Sequence, residues 1–121
     1  MKYVLLAYGD RAKMSTLSKA DFAALVEKCQ VHDAELHRSG AFVSAMSLDW
    51  DVTTIRPRGG TPTVTDGPFV ETRETVGGLI VIEARDLNDA IRIASLHPAA
   101  HLGEQYGWAI EIRPVADGCH A

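Results

Sequence analysis

The chain has 121 residues, 46% of them hydrophobic, which is enough to bury one core and too few for two ordinary domains. Lys and Arg total 12 against 16 Asp and Glu, a net charge of −4 with no basic run to neutralise a row of phosphates, so nucleic-acid binding is excluded as the main role. The apolar run in MKYVLLAYGD is shorter than a signal-peptide core, and no stretch reaches the roughly 20 apolar residues of a membrane helix, so a soluble, cytoplasmic protein is expected.

In KYVLLAY, Tyr3, Leu5 and Ala7 fall on one face of a strand and Val4, Leu6 and Tyr8 on the other, so both faces are apolar. Ser18, followed three residues later by Asp21, resembles a capping box and starts a helix that Gly40 ends. Phe22, Leu25, Val26, Cys29 and Leu36 share one stripe of this helix, with His32 toward its edge. AFVSAMSL predicts a short strand. VTTIRPR, GG and TPTVT predict a hairpin whose strands Pro57 and Pro62 mark as edges or bulged. GGLIVIEA predicts a strand apolar on both faces. Asp86 caps a second helix carrying Leu87, Ala90, Ile91 and Ala94 at helical spacing, and Pro98 stops it. WAIEIRPV alternates, with Trp108, Ile110 and Ile112 opposite Ala109, Glu111 and Arg113. Cys29 and Cys119 follow no metal-ligand or disulfide spacing, and read as a buried thiol and a tail residue.

This order predicts an α+β chain with the ferredoxin-like split β-α-β architecture and an inserted β-hairpin, as one domain over residues 1–116 and a tail over 117–121. Two helices cover one face of such an antiparallel sheet. The apolar second face calls for another cover, and a second copy packed face to face, a homodimer enclosing a small interior, is the simplest.

MKYVLLAYGD, VTDGPFVETRETVGGLIVIEARDLNDAIRIA and HPAAHLGEQYGWAIEIRPV together resemble the YCII-related, DGPF-domain family over nearly the whole chain. The resemblance implies the dimeric α/β barrel fold. It also implies, from the wider superfamily, a His-Asp pair at a cleft and, in a few branches, elimination chemistry on small cyclic acids. Some members are encoded beside or fused to extracytoplasmic-function sigma factors. Two departures from the family pattern fall where they reshape a pocket rim: a longer segment HPAAHLGEQYGW before the last strand, and extra proline in RPRGGTPT.

Asp66, before Gly67 and Pro68 in TVTDGPFVETRE, has two readings: a strand terminator bonding the backbone ahead of it, or a cleft carboxylate that orients an imidazole or accepts a proton. His32 is the candidate imidazole, with core packing as the ordinary alternative. His32 and Asp66 are thus the expected catalytic pair. If Trp108, Ile110 and Ile112 face the helices, Arg113 and Glu111 face the dimer interior, where Arg113 grips a carboxylate or the two form a structural ion pair. Phe69 joins them as an expected substrate contact. Asp33 and His37 are placed in solvent, His97 as a cation at a helix end, and His101 and His120 in a loop and the tail. Asp66, Glu71 and Glu74 lack calcium-loop spacing, and no phosphate loop or nucleophile elbow occurs, so neither metal nor cofactor is expected.

The expected function is cofactor-independent acid-base chemistry on a small anionic substrate. The alternative is a non-catalytic ligand-binding or regulatory protein acting with a sigma factor.

Overall fold

The computed structural model describes residues 1–118, so Cys119 and His120 lie outside the described residues. Strand β1 (Lys2–Asp10) runs directly into a one-turn helix α1 (Arg11–Met14), where the Asp10 carboxylate accepts the Lys13 N–H at 3.1 Å. Helix α2 (Lys19–Arg38) starts as its sequence predicts: Ser18 Oγ accepts the Asp21 N–H at 3.0 Å, satisfying one of the free donors of the first turn. Strands β2 (Phe42–Ser47), β3 (Thr53–Arg58), β4 (Thr61–Asp66) and β5 (Glu74–Glu83) follow, then α3 (Leu87–Ala94), two short 3₁₀ turns (Pro98–Ala100 and Glu104–Tyr106) and β6 (Ala109–Pro114).

Four strands form one antiparallel sheet in the order β2, β5, β1, β6, which is the ferredoxin-like arrangement. Strands β3 and β4 form a separate hairpin that pairs Ile55 with Val64 and turns at Gly59 and Gly60. Tyr3 and Leu5 of β1, Ile80 and Ile82 of β5, Leu36 of α2 and Ala90, Ile93 and Ala94 of α3 make the core, with Ile110 and Ile112 packed against it. Burying each of the largest of these, Leu5, Leu36, Ile82 and Ile93, contributes about 1.5–3 kcal/mol.

The start of α3 is clamped electrostatically. Buried Asp89 accepts the Arg85 backbone N–H at 3.0 Å and the Arg92 guanidinium at 2.8 Å, which hold its carboxyl well below the usual range.

Three expectations change. The predicted buried stripe of α2 is buried only at Leu36. On α3 the buried apolar set is Ala90, Ile93 and Ala94, beside the clamped Asp89, while Leu87 and Ile91 are 53% and 46% exposed, because, among its apolar residues, the helix turns only the alanines and Ile93 to the sheet. Pro98 does not stop α3, which ends at Ala94 with a Ser95 cap; it opens the first 3₁₀ turn instead. No helix among the described residues is long and apolar enough to cross a membrane.

Candidate functional site

Helix α2 meets the sheet by its C-terminal end alone. Leu36 is buried, whereas Phe22 and Val26 stay 48% and 37% exposed. Between the lifted N-terminal half and the sheet lies a cleft of about 380 Å³, within the size range of small-molecule sites. Phe22, Leu25, Val26 and Cys29 form its helical wall, and Ala7, Gly9, Gly77 and Gly78 its sheet floor.

Two indoles hold this space open. The floor carries a bulge, because Ala7 pairs with Gly78 and Tyr8 with Val76, leaving Gly77 extra. Trp50 lies against the bare backbone there: a Cβ on either Gly9 or Gly77 would meet its Cη2 at 3.1 Å. Trp108 packs onto Gly103, and its Nε1–H donates to Met14 Sδ at 3.3 Å.

At the polar end of the cleft stand Asp33, from α2, and His97, which follows α3. His97 Nδ1 accepts the Ala99 N–H at 3.0 Å and so caps the first 3₁₀ turn. A neutral ring whose Nδ1 accepts carries its proton on Nε2. Burial pushes the His97 pKa down, the nearby Asp33 charge partly opposes this, and His32 adds to it. No side-chain polar atom sealed from solvent lacks a hydrogen-bond partner among the described residues, so the unbonded Nε2 of His97, a cleft-lining residue, is reached by solvent. Cys29 is half-buried on the cleft wall; burial first and Asp33 second push its thiol up, which keeps it protonated and a poor nucleophile.

His97 therefore differs from its expected role. It is a neutral cap and cleft donor, since a ring that must accept at Nδ1 cannot also be the cation of a helix end. Asp33 is half-buried on the cleft wall rather than solvated. His37 stacks on Phe42 with centroids 4.1 Å apart.

His32, Asp66, Arg113, Glu111 and Phe69 all lie off the cleft lining. His32 stacks on His101, centroids 4.7 Å apart and planes 10° apart, while His101 Nε2–H donates to the Ser95 carbonyl at 2.5 Å. Asp66 is an exposed residue at the end of β4. Its turn is held by the backbone around it: the Gly67 N–H donates to Val52 O at 2.8 Å, and Thr54 Oγ1 donates to Gly67 O at 2.7 Å. Among the described residues the carboxylate of Asp66 makes no Asx bond and no hydrogen bond to His32. Phe69 is 67% exposed.

Glu111 and Arg113 do sit on the sheet face opposite Ile110 and Ile112, as the alternation requires. Glu111 accepts the Tyr8 hydroxyl, a bond that raises the Tyr8 pKa above its usual value, and no ion pair with Arg113 occurs among the described residues. Asp33 and His97 had sequence signals. Asp33 follows Cys29 by four residues and Val26 by seven, both helical-face spacings. His97 stands directly before Pro98, at a cap position.

Fold and cleft together define a ferredoxin-like α+β protein with one apolar cleft between its long helix and its sheet. Residues 1–116 match the YCII-related domain, and the chain belongs to that family. It is similar to an uncharacterised protein of Rhizobium meliloti (strain 1021), at 26% identity over 118 residues that cover 96% of this chain and 93% of the relative.

Proposed function

We propose that the chain is a cofactor-independent acid-base catalyst that moves a proton on carbon next to a carbonyl, using Asp33 and His97 in the α2 cleft. The observation that carries this is His97 itself: its Nδ1 is occupied by the Ala99 N–H, its Nε2 is left accessible, and it lines the same apolar cleft as Asp33. Asp33 takes the proton from the α-carbon. The C–H electron pair becomes a C=C bond, and the carbonyl π pair moves onto oxygen, where His97 Nε2–H holds it. Return of the proton to the same or a conjugated carbon regenerates both groups. No other reactant is consumed.

Deuterium exchange into the methylene of phenylacetone in D₂O, followed by NMR, tests this. The chain should accelerate exchange over buffer, with Asp33→Asn losing about 10²–10⁴-fold. His97→Asn, whose side chain still caps the Ala99 N–H, should lose about 10²–10³-fold. An Asp33→Asn rate equal to wild type refutes the assignment. Binding of the ketone without exchange supports the non-catalytic ligand-binding reading instead.

We further infer that a second copy covers the sheet face away from the helices, closing a dimeric barrel. Val4, Leu6, Leu79 and Val81 are half-buried there, and Met46 is 57% exposed, an apolar surface that favours docking.

A further inference from the structure

The charge on the cleft walls is one-sided. Among the described residues lining it, Asp33 is the sole charged side chain, and no Lys or Arg is present. His97 adds a single donor, because its other nitrogen is committed to the Ala99 N–H. Asp33 and His97 thus offer an acceptor and one donor, Ser47 adds a hydroxyl to the lining, and Phe22, Leu25, Val26, Trp50 and Trp108 supply large apolar surfaces. Aromatic side chains of this kind favour contact with a ring.

Resting on the acid-base reading above, we propose that the cleft takes an uncharged, ring-bearing carbonyl compound, its oxygen on His97 Nε2–H and its N–H or acidic C–H at the Asp33 carboxylate. An anion meets like charge: two such charges about 6 Å apart, at an effective dielectric of about 20, repel enough to weaken binding about a hundredfold. A cation satisfies Asp33 but brings only donors, leaving the Nε2–H of His97 without an acceptor. The substrate class therefore differs from the anion expected from Arg113, which stands on the other face of the sheet.

Benzamide, benzoate and benzamidinium share one shape and differ in charge, and both tryptophans of the chain line the cleft, so intrinsic fluorescence of the full chain reports occupancy. Benzamide should change the emission saturably and bind about tenfold or more tightly than either charged analogue. Asp33→Asn, with unchanged circular dichroism, should bring benzoate within about threefold of benzamide. Benzoate binding to wild type as tightly as benzamide overturns the proposal. So does benzamidinium binding tightest, which would make the cleft a cation site, and so does the absence of a saturable change with all three. This readout is binding alone: normal discrimination without ketone exchange removes the catalytic reading and leaves the ligand class standing.

Discussion

Three glycines at the cleft end of the sheet should respond differently to one added methyl group. At Gly78 the new Cβ would meet Ala7 Cβ at 3.5 Å and the Met46 carbonyl at 3.7 Å, ordinary contacts. Gly78→Ala should then gain about 0.4–1 kcal/mol by restricting the unfolded chain. At Gly77 the Cβ meets one side chain, Trp50, at 3.1 Å from Cη2, and the half-buried ring has room to tilt. A strain of about 1 kcal/mol there nearly cancels the gain. At Gly9 the same Cη2 is again 3.1 Å away, but Met14 Sδ at 3.4 Å and Trp108 Cδ1 at 3.5 Å close the other sides. Overpacking of about 1–3 kcal/mol then exceeds the entropic gain. Since about 1 kcal/mol moves Tm by about 4 °C at this size, calorimetry should find Gly78→Ala raised by about 2–4 °C, Gly77→Ala within about 2 °C of wild type, and Gly9→Ala lowered by about 4–8 °C. Tryptophan emission should shift in Gly9→Ala and Gly77→Ala, and stay unchanged in Gly78→Ala. A Gly9→Ala protein as stable as Gly78→Ala would refute the packing of Trp50 against the sheet.

Burial lowers the His97 pKa below its ordinary 6.5, so in mild acid the unfolded chain binds a proton that the folded chain does not. The contribution of this ring is level above about pH 6.5, and stability falls as pH drops from there toward the lowered folded value. Urea unfolding at several pH values should show that His97→Asn flattens this limb; an unchanged limb would mean that the ring is not held neutral. Sedimentation velocity should find the wild type at twice its 13.1 kDa chain mass and Leu79→Lys, altered in the centre of the open sheet face, at one chain mass. A monomeric wild type would refute the face-to-face dimer.

The element types were legible because they rest on local periodicity and local capping chemistry. Strand alternation placed Ile110 and Ile112 opposite Glu111 and Arg113, and Ser18 and Asp86 cap α2 and α3 through the N–H three residues on. Burial was less legible, because a helical stripe shows which face turns inward and says nothing of whether the sheet comes up to meet it. Phe22 and Leu36 look equivalent in the sequence. They differ because one end of α2 stands over the cleft that Trp50 and the 97–108 segment help to line, while the other end packs closely. The candidate site shared that fate. Asp33 reads as lying off the apolar stripe and in solvent, yet it lines the cleft; His97 reads as a helix-end cation, and only its bond from the Ala99 N–H makes it a neutral donor. The segment HPAAHLGEQYGW, singled out as a departure that reshapes a pocket rim, supplies His97, Pro98, Ala99 and Trp108 to the cleft.

The sheet thus separates two chemically different sides. Glu111, Tyr8 and Arg113 belong with the apolar face proposed for a second copy, whereas Asp33 and His97 belong with the cleft beneath α2. A dimer across the outer face would act on the cleft through strands common to both sides, such as β1, where Tyr8, bonded to Glu111 on the outer face, is followed at once by Gly9 beneath Trp50. A shift of that strand moves the indole that holds the cleft open. This coupling through packing requires benzamide affinity in Leu79→Lys to change only as far as Trp50 emission does, and a large loss of binding with unchanged emission would contradict it.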